Sequence, residues 1–133
     1  MVVAQLLLGA AFRHNATGII PHITGAIIVT AALFYEGISI MTAHAAHKPL
    51  NRAAGIMVSV VGAQLMLGLG AYVAKTSFAA SGRTEGWMVL STVAHVAGGA
   101  LALASSIATA IQIYRHVPRA AAIGAAHSKQ ATA

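Results

Sequence analysis

Ala4-Gln5-Leu6-Leu7-Leu8-Gly9 returns as Ala63-Gln64-Leu65-Met66-Leu67-Gly68, and His22-Ile23-Thr24-Gly25-Ala26 returns as His95-Val96-Ala97-Gly98-Gly99. An internal repeat fixes the architecture before any single residue is interpreted. Each copy carries one imidazole on an apolar stretch, and the segment inside the second copy is the longer of the two. Two copies of one unit, each offering a histidine, predict a symmetric site that draws one ligand from each copy. A metal cofactor clamped between two helices is the candidate that follows.

The stretches around the repeats define their surroundings. The chain has 133 residues, 58% of them hydrophobic and 8% charged, with Glu36 and Glu85 as its only acids. A soluble domain carries about 25% charged residues, so this chain has almost nothing with which to cover a watery surface. Ile19 to Ala43 holds a single carboxylate, while Ala53 to Ala74 and Trp87 to Tyr114 hold no Asp, Glu, Lys or Arg. Each is long enough to cross a hydrocarbon core, which takes about 20 residues. Val2 to Phe12 is shorter, but Arg13 and His14 can snorkel at its end and extend it. The expected fold is all-α, a four-transmembrane-helix bundle made of two parallel two-helix repeats.

Turn signals place the boundaries. Helix 1 should run over 2–16, ending in Asn15-Ala16-Thr17-Gly18, and helix 2 from near Pro21 to Ala43. The loop His44 to Arg52 contains Pro49 and Asn51, helix 3 covers Ala53 to Ala74, and Lys75 to Gly86 is a polar loop. Helix 4 runs from Trp87 to His116, stopped by Pro118. Residues 1–117 thus form the bundle and 118–133 a flexible Ala-rich tail. The chain opens inside its first apolar segment, without the basic region or cleavage site of a signal peptide. Either that start is abrupt or a few residues precede it.

The formal charge of +6 does not point to nucleic acid, because the basic residues are scattered at helix ends and form no run. They are topology signals. Arg13, Lys75 and Arg83 lie at one end; the larger set of Lys48, Arg52, Arg115, Arg119 and Lys129 lies at the other. The positive-inside rule makes the second end cytoplasmic, with both termini there and the 75–86 loop outside. His22 and His95 then share the outer half of the bilayer, and the pseudo-twofold axis lies along the membrane normal.

An imidazole inside a span is costly without a partner and is a functional candidate by default. The bland alternative is a hydrogen bond to a neighbouring helix, and matched positions in two repeats favour a ligand role. The absence of Cys excludes disulfides, thiolate ligands and covalent c-type haem attachment. A zinc site lacks two ligands. Haem needs only two axial donors and fits an apolar cleft between bundle helices, so bis-His haem b on His22 and His95 is the expected cofactor. Small residues after each histidine (Gly25, Ala26, Gly98, Gly99, Ala100) could make room for a porphyrin, and close helix packing explains them equally well. Arg13, His14 and Lys75 could pair with propionates or simply snorkel. Gln5 and Gln64 are expected to hydrogen-bond between helices. His44 and His47 read as solvated loop, with metal binding the weaker alternative. Glu36 could face the bundle, pair with Tyr35 or another donor, or move protons.

Gln5-Leu6-Leu7-Leu8-Gly9-Ala10-Ala11-Phe12-Arg13-His14 with Thr17-Gly18 resembles the end of the first helix of a haem A synthase half, and His95-Val96-Ala97-Gly98-Gly99-Ala100-Leu101-Ala102-Leu103-Ala104 resembles its fourth. The similarity spans most of residues 4–115 through short apolar motifs. Members are usually eight-helix proteins of two four-helix halves, each half with a His pair on its second and fourth helices. The resemblance therefore implies that His22 and His95 are such a pair. Three features depart from it. Ile19 stands where the active half has a Glu one turn before its first His, the extracellular cysteine pair is missing, and the first loop is short. These are the features most tied to oxidising the haem methyl group.

The expected function is a small integral membrane b-type cytochrome of a bacterial or archaeal plasma membrane, which transfers electrons or holds haem beside a respiratory complex. The enzymatic alternative is a homodimer that rebuilds a haem A synthase acting on haem O. A cofactor-free structural subunit is the third possibility. The expected partners are the lipid bilayer and either a homo-oligomer or a larger respiratory membrane complex. Small residues on helices 1 and 3 (Gly9, Ala10, Gly62, Gly68, Gly70) are the expected contact faces.

Overall fold

A computed structural model describes residues 1–79 and 86–117, the side chains of 78 and 79 excepted. They fold into four helices: α1 (Val2–Arg13), α2 (Ile19–Ala43), α3 (Lys48–Ala79) and α4 (Gly86–His116). There is no strand among the described residues. The expected tail, 118–133, and the cations Arg83, Arg119 and Lys129 lie outside the described residues.

The composition explains why the helices form and what they face. Helices α2, α3 and α4 are each long and apolar enough to cross a membrane. Their outward sides are apolar as well: Ile20 is 74% exposed, Ile27 64% and Leu101 61%. A helix that is hydrophobic all round needs an apolar surrounding, so these observations fit a helical integral membrane protein. Helix α1 is apolar but shorter. Its 12 residues rise only about 18 Å, against a hydrocarbon core of about 30 Å.

The turn after α1 is set by Asn15, at φ 57°. The Ala16 amide donates to Ala11 O at 2.8 Å and the Asn15 amide to Phe12 O at 3.2 Å. This is a Schellman cap, which needs a residue that tolerates the left-handed region; Asn is second only to Gly there. Helix α3 starts earlier than expected. Pro49 lies in its first turn, where the missing N–H would have had no intrahelical partner. The Leu50 amide points to His47 Nδ1 at 3.4 Å, so the 44–52 loop shrinks to a turn over 44–47. At its other end α3 continues through Lys75 to Ala79.

The helices pack in ring order. α3 lies against α4 and α2, and α1 lies against α2 and lightly against α4. That order puts α2 and α4 on a diagonal. Close packing is concentrated toward the end that holds the α2–α3 turn. Leu33, Met57, Val61 and Ala102 form one buried cluster; Ile40, Leu50 and Ala54 form another. Between them, buried Thr109 donates its hydroxyl to Ala53 O at 3.2 Å and Ser105 O at 2.9 Å, stitching α3 to α4. Gly37 lets α2 approach α3, because a Cβ there would run into Val58 Cγ2. Glu36, beside it, is exposed on the outside of the bundle.

Candidate functional site: a histidine pair across the bundle

The sequence repeat has a counterpart in contacts. Gln5 on α1 reaches α2, where its Nε2 donates to His22 O at 2.9 Å and lies 3.0 Å from His22 Nδ1. Gln64 on α3 reaches α4 in the same way, its Nε2 donating to His95 O at 2.8 Å. Glycines make both approaches possible. A Cβ at Gly25 would meet Gln5 Oε1, and one at Gly98 would meet Gln64 Oε1. One turn after each glutamine, Gly9 and Gly68 clear the imidazoles: a Cβ would lie 3.0 Å from His22 Cε1 in the first case and 2.8 Å from His95 Cε1 in the second. Gly25 and Gly98 therefore serve the glutamines, and the small residues after the histidines follow the helix-packing explanation at these positions. The glutamines' expected interhelical bonds are present.

His22 and His95 come together although their helices are diagonal. Their ring centroids are 6.2 Å apart and the planes nearly perpendicular, at 86°. Both are only partly buried, at the loosely filled end of the bundle. Phe12 stacks on His22, centroids 6.5 Å apart and planes within 9°. Lys75 Nζ sits 4.2 Å above the Phe12 ring, so Lys75 is within the same assembly through an aromatic contact. Arg13 is exposed and lines a shallow groove with Met88, Val89, Thr92 and Val93 at the start of α4. Phe12, which the sequence reading gave no role at the site, joins Lys75 to His22. The signal that could have shown it was its place one residue before Arg13, at the same end as His22.

Buried polar atoms without partners gather here. Gln5 Oε1, Gln64 Oε1 and His95 Nδ1 have none, and among the described residues only Gln112 Oε1 shares that condition. Buried polar groups are nearly always paired, so each such atom calls for an explanation, a bound group among them. No set of three or more His, Cys, Asp or Glu side chains that could hold a metal ion occurs among the described residues, so a metal here would rest on two imidazoles and whatever else it carries. The other histidine pair, His47 and His116, lies at the opposite end with ring centroids 4.5 Å apart; His47 there caps α3 and touches α4.

No family model, curated protein or solved structure matches this chain. The site must be judged on its own geometry.

Proposed function

We propose that the chain is an integral membrane haem protein that holds haem b between His22 and His95. The observation that carries this reading is the separation of the two rings. The two imidazoles, from helices on a diagonal of the bundle, have ring centroids 6.2 Å apart, and two such donors are all that haem would ask of the protein. The donor set fits the group.

The remaining residues have definable tasks. Gln5 Nε2 lies 3.0 Å from His22 Nδ1; an amide N–H there makes Nδ1 the acceptor and keeps the ring proton on Nε2, so ligation through Nε2 would require the Gln5 amide to turn its unpartnered Oε1 toward an Nδ1–H. Gln64 places His95 by holding its backbone carbonyl. Gly9 on α1 and Gly68 on α3 give the rings room against the neighbouring helices. Lys75 and Arg13 bring positive charge to the same end, suited to carboxylates at the edge of the group. Bound there, haem would supply one-electron transfer, and His22 and His95 would hold it. The duplicated Gln–Gly–His contacts support two parallel halves, α1–α2 and α3–α4, with the shared site on the diagonal between them. The unfilled periphery of so small a bundle favours a second copy or a respiratory membrane complex as cover.

The purified protein should show a reduced-minus-oxidised spectrum of low-spin haem b. His22→Ala and His95→Ala should each abolish it, while His44→Ala and His47→Ala should leave it intact. A normal spectrum in His95→Ala would remove the assignment.

A further inference from the structure

At the end of the bundle opposite the histidine pair, a groove between the start of α3 and the end of α4 is lined by Lys48, Pro49, Arg52, Ala53, Ile56 and Gln112. Its volume of about 440 Å³ falls within the range of small-ligand pockets, roughly 300–1,000 Å³. Lys48 and Arg52 are four residues apart on α3, hence neighbours on one helix face. Gln112 contributes an amide whose Oε1 is buried without a partner. Beyond the cations, Ala53 and Ile56 continue the groove as apolar wall toward the middle of α3.

The groove lacks a counter-charge from the chain itself. The chain has eight Lys and Arg but only two acids, so carboxylates of its own can neutralise no more than a quarter of its cations. Neither acid lines the groove. Two adjacent cations over an apolar wall, at the end of helices long enough to span a bilayer, match a ligand with an anionic head and an acyl tail. Basic pockets between transmembrane helices bind anionic lipid head groups for this reason.

We propose that this groove is a binding site for an anionic phospholipid, its phosphate held by Lys48 and Arg52 and one acyl chain laid along Ala53 and Ile56. The site is independent of the histidine pair and of any cofactor there. It rests on the chain being embedded in a membrane, which the length and outward apolarity of α2, α3 and α4 support.

The test is native mass spectrometry of the whole chain in non-ionic detergent, titrated with phosphatidylglycerol or with phosphatidylcholine of the same acyl chains. Phosphatidylglycerol should be retained in preference to phosphatidylcholine. Each cation removed should weaken that preference about 5-fold, so Lys48→Ala with Arg52→Ala should reduce it roughly 25-fold. Lys48→Arg with Arg52→Lys should keep it, since charge is preserved. If the alanine pair does not fold by circular dichroism, Lys48→Gln with Arg52→Gln reads the same loss with polar stems kept. Equal retention of the two lipids would overturn the proposal, as would full phosphatidylglycerol binding by the folded alanine or glutamine pair. So would complete displacement of the lipid by millimolar inorganic phosphate, which would make the groove a site for a free anion.

Discussion

At the scale of single residues, the two glutamines are the most consequential side chains after the histidines, and each works only because a glycine stands opposite. Gly98→Ala would drive its methyl group into Gln64 Oε1. The amide, as the far end of a flexible side chain, would swing away and lose its bond to His95 O. Interhelical hydrogen bonds in membranes are worth about 0.6 kcal/mol on average and at most about 1.7, so Gly98→Ala and Gln64→Ala should each cost on that order in thermal unfolding in detergent. Because both remove the same bond, their effects should not add; a double variant whose loss equals the sum of the two singles would contradict the coupling. Thr109→Val tests the bond at the other end of the bundle. It keeps the shape and removes the hydroxyl that reaches Ala53 O, so a loss of about 0.6 kcal/mol is expected, and a loss above about 2 kcal/mol would assign Thr109 a larger task. The pairing of Gln5 with Gln64 and of His22 with His95 was legible in the repeat. The purpose of Gly25 and Gly98 was not, because a small residue beside a histidine offers space without saying which side chain takes it.

Among elements, the ends of helices proved harder to read than their existence. Apolar length announced α2, α3 and α4, but Pro49 and Asn51 looked like breakers and were assigned to a loop. A proline in the first turn costs a helix nothing, and that rule depends on a boundary the sequence alone leaves open by a few residues. Helix α1 was expected to run to residue 16; the left-handed Asn15 stops it at Arg13 instead. Asn15→Gly should preserve this cap, whereas Asn15→Val should weaken it by roughly 1–2 kcal/mol, the penalty of a branched side chain in that region. The α2–α3 contact is equally specific. Gly37→Ala places a methyl group against the stiff, β-branched Val58 and near Met57 and the Ala54 carbonyl. Overpacking of this kind costs typically 1–3 kcal/mol, and an unchanged melting temperature in Gly37→Ala would show that α2 can yield at this point.

For the whole molecule, the glycines expected to form an oligomer face are largely occupied within the chain. Gly9 and Gly68 clear histidines and a Cβ on Gly62 would lie 3.8 Å from Phe34 Cζ, whereas one on Gly70 would meet open space among the described residues. Contacts with a second copy would therefore centre on Gly70 and the exposed Ala10. Orientation can be read directly, since the chain has no cysteine. A cysteine at Thr17, exposed in the α1–α2 turn, should react with an impermeant reagent from outside, and one at Ala45 only from the cytoplasmic side. The reverse pattern would place the histidine pair in the inner half. If the resemblance to a haem A synthase half holds, Ile19 stands where the active half has its Glu, and expression with haem O should yield no haem A above a vector control.

The uneven packing of the bundle has a kinetic meaning. One end is closed by Leu50, Ala54, Met57 and Thr109, all at or near zero exposure; at the other, Ala74 of α3 and Ser91 of α4 are buried as well, but α1 has no buried residue and is held there by the Gln5 amide and a stacked ring. Local opening starts where few apolar contacts must be broken. Helix α1 and the first turns of α2 should thus part from their neighbours while the far ends of α3 and α4 stay joined. A swing of α1 about the closed end would admit a large flat ligand without the whole chain unfolding.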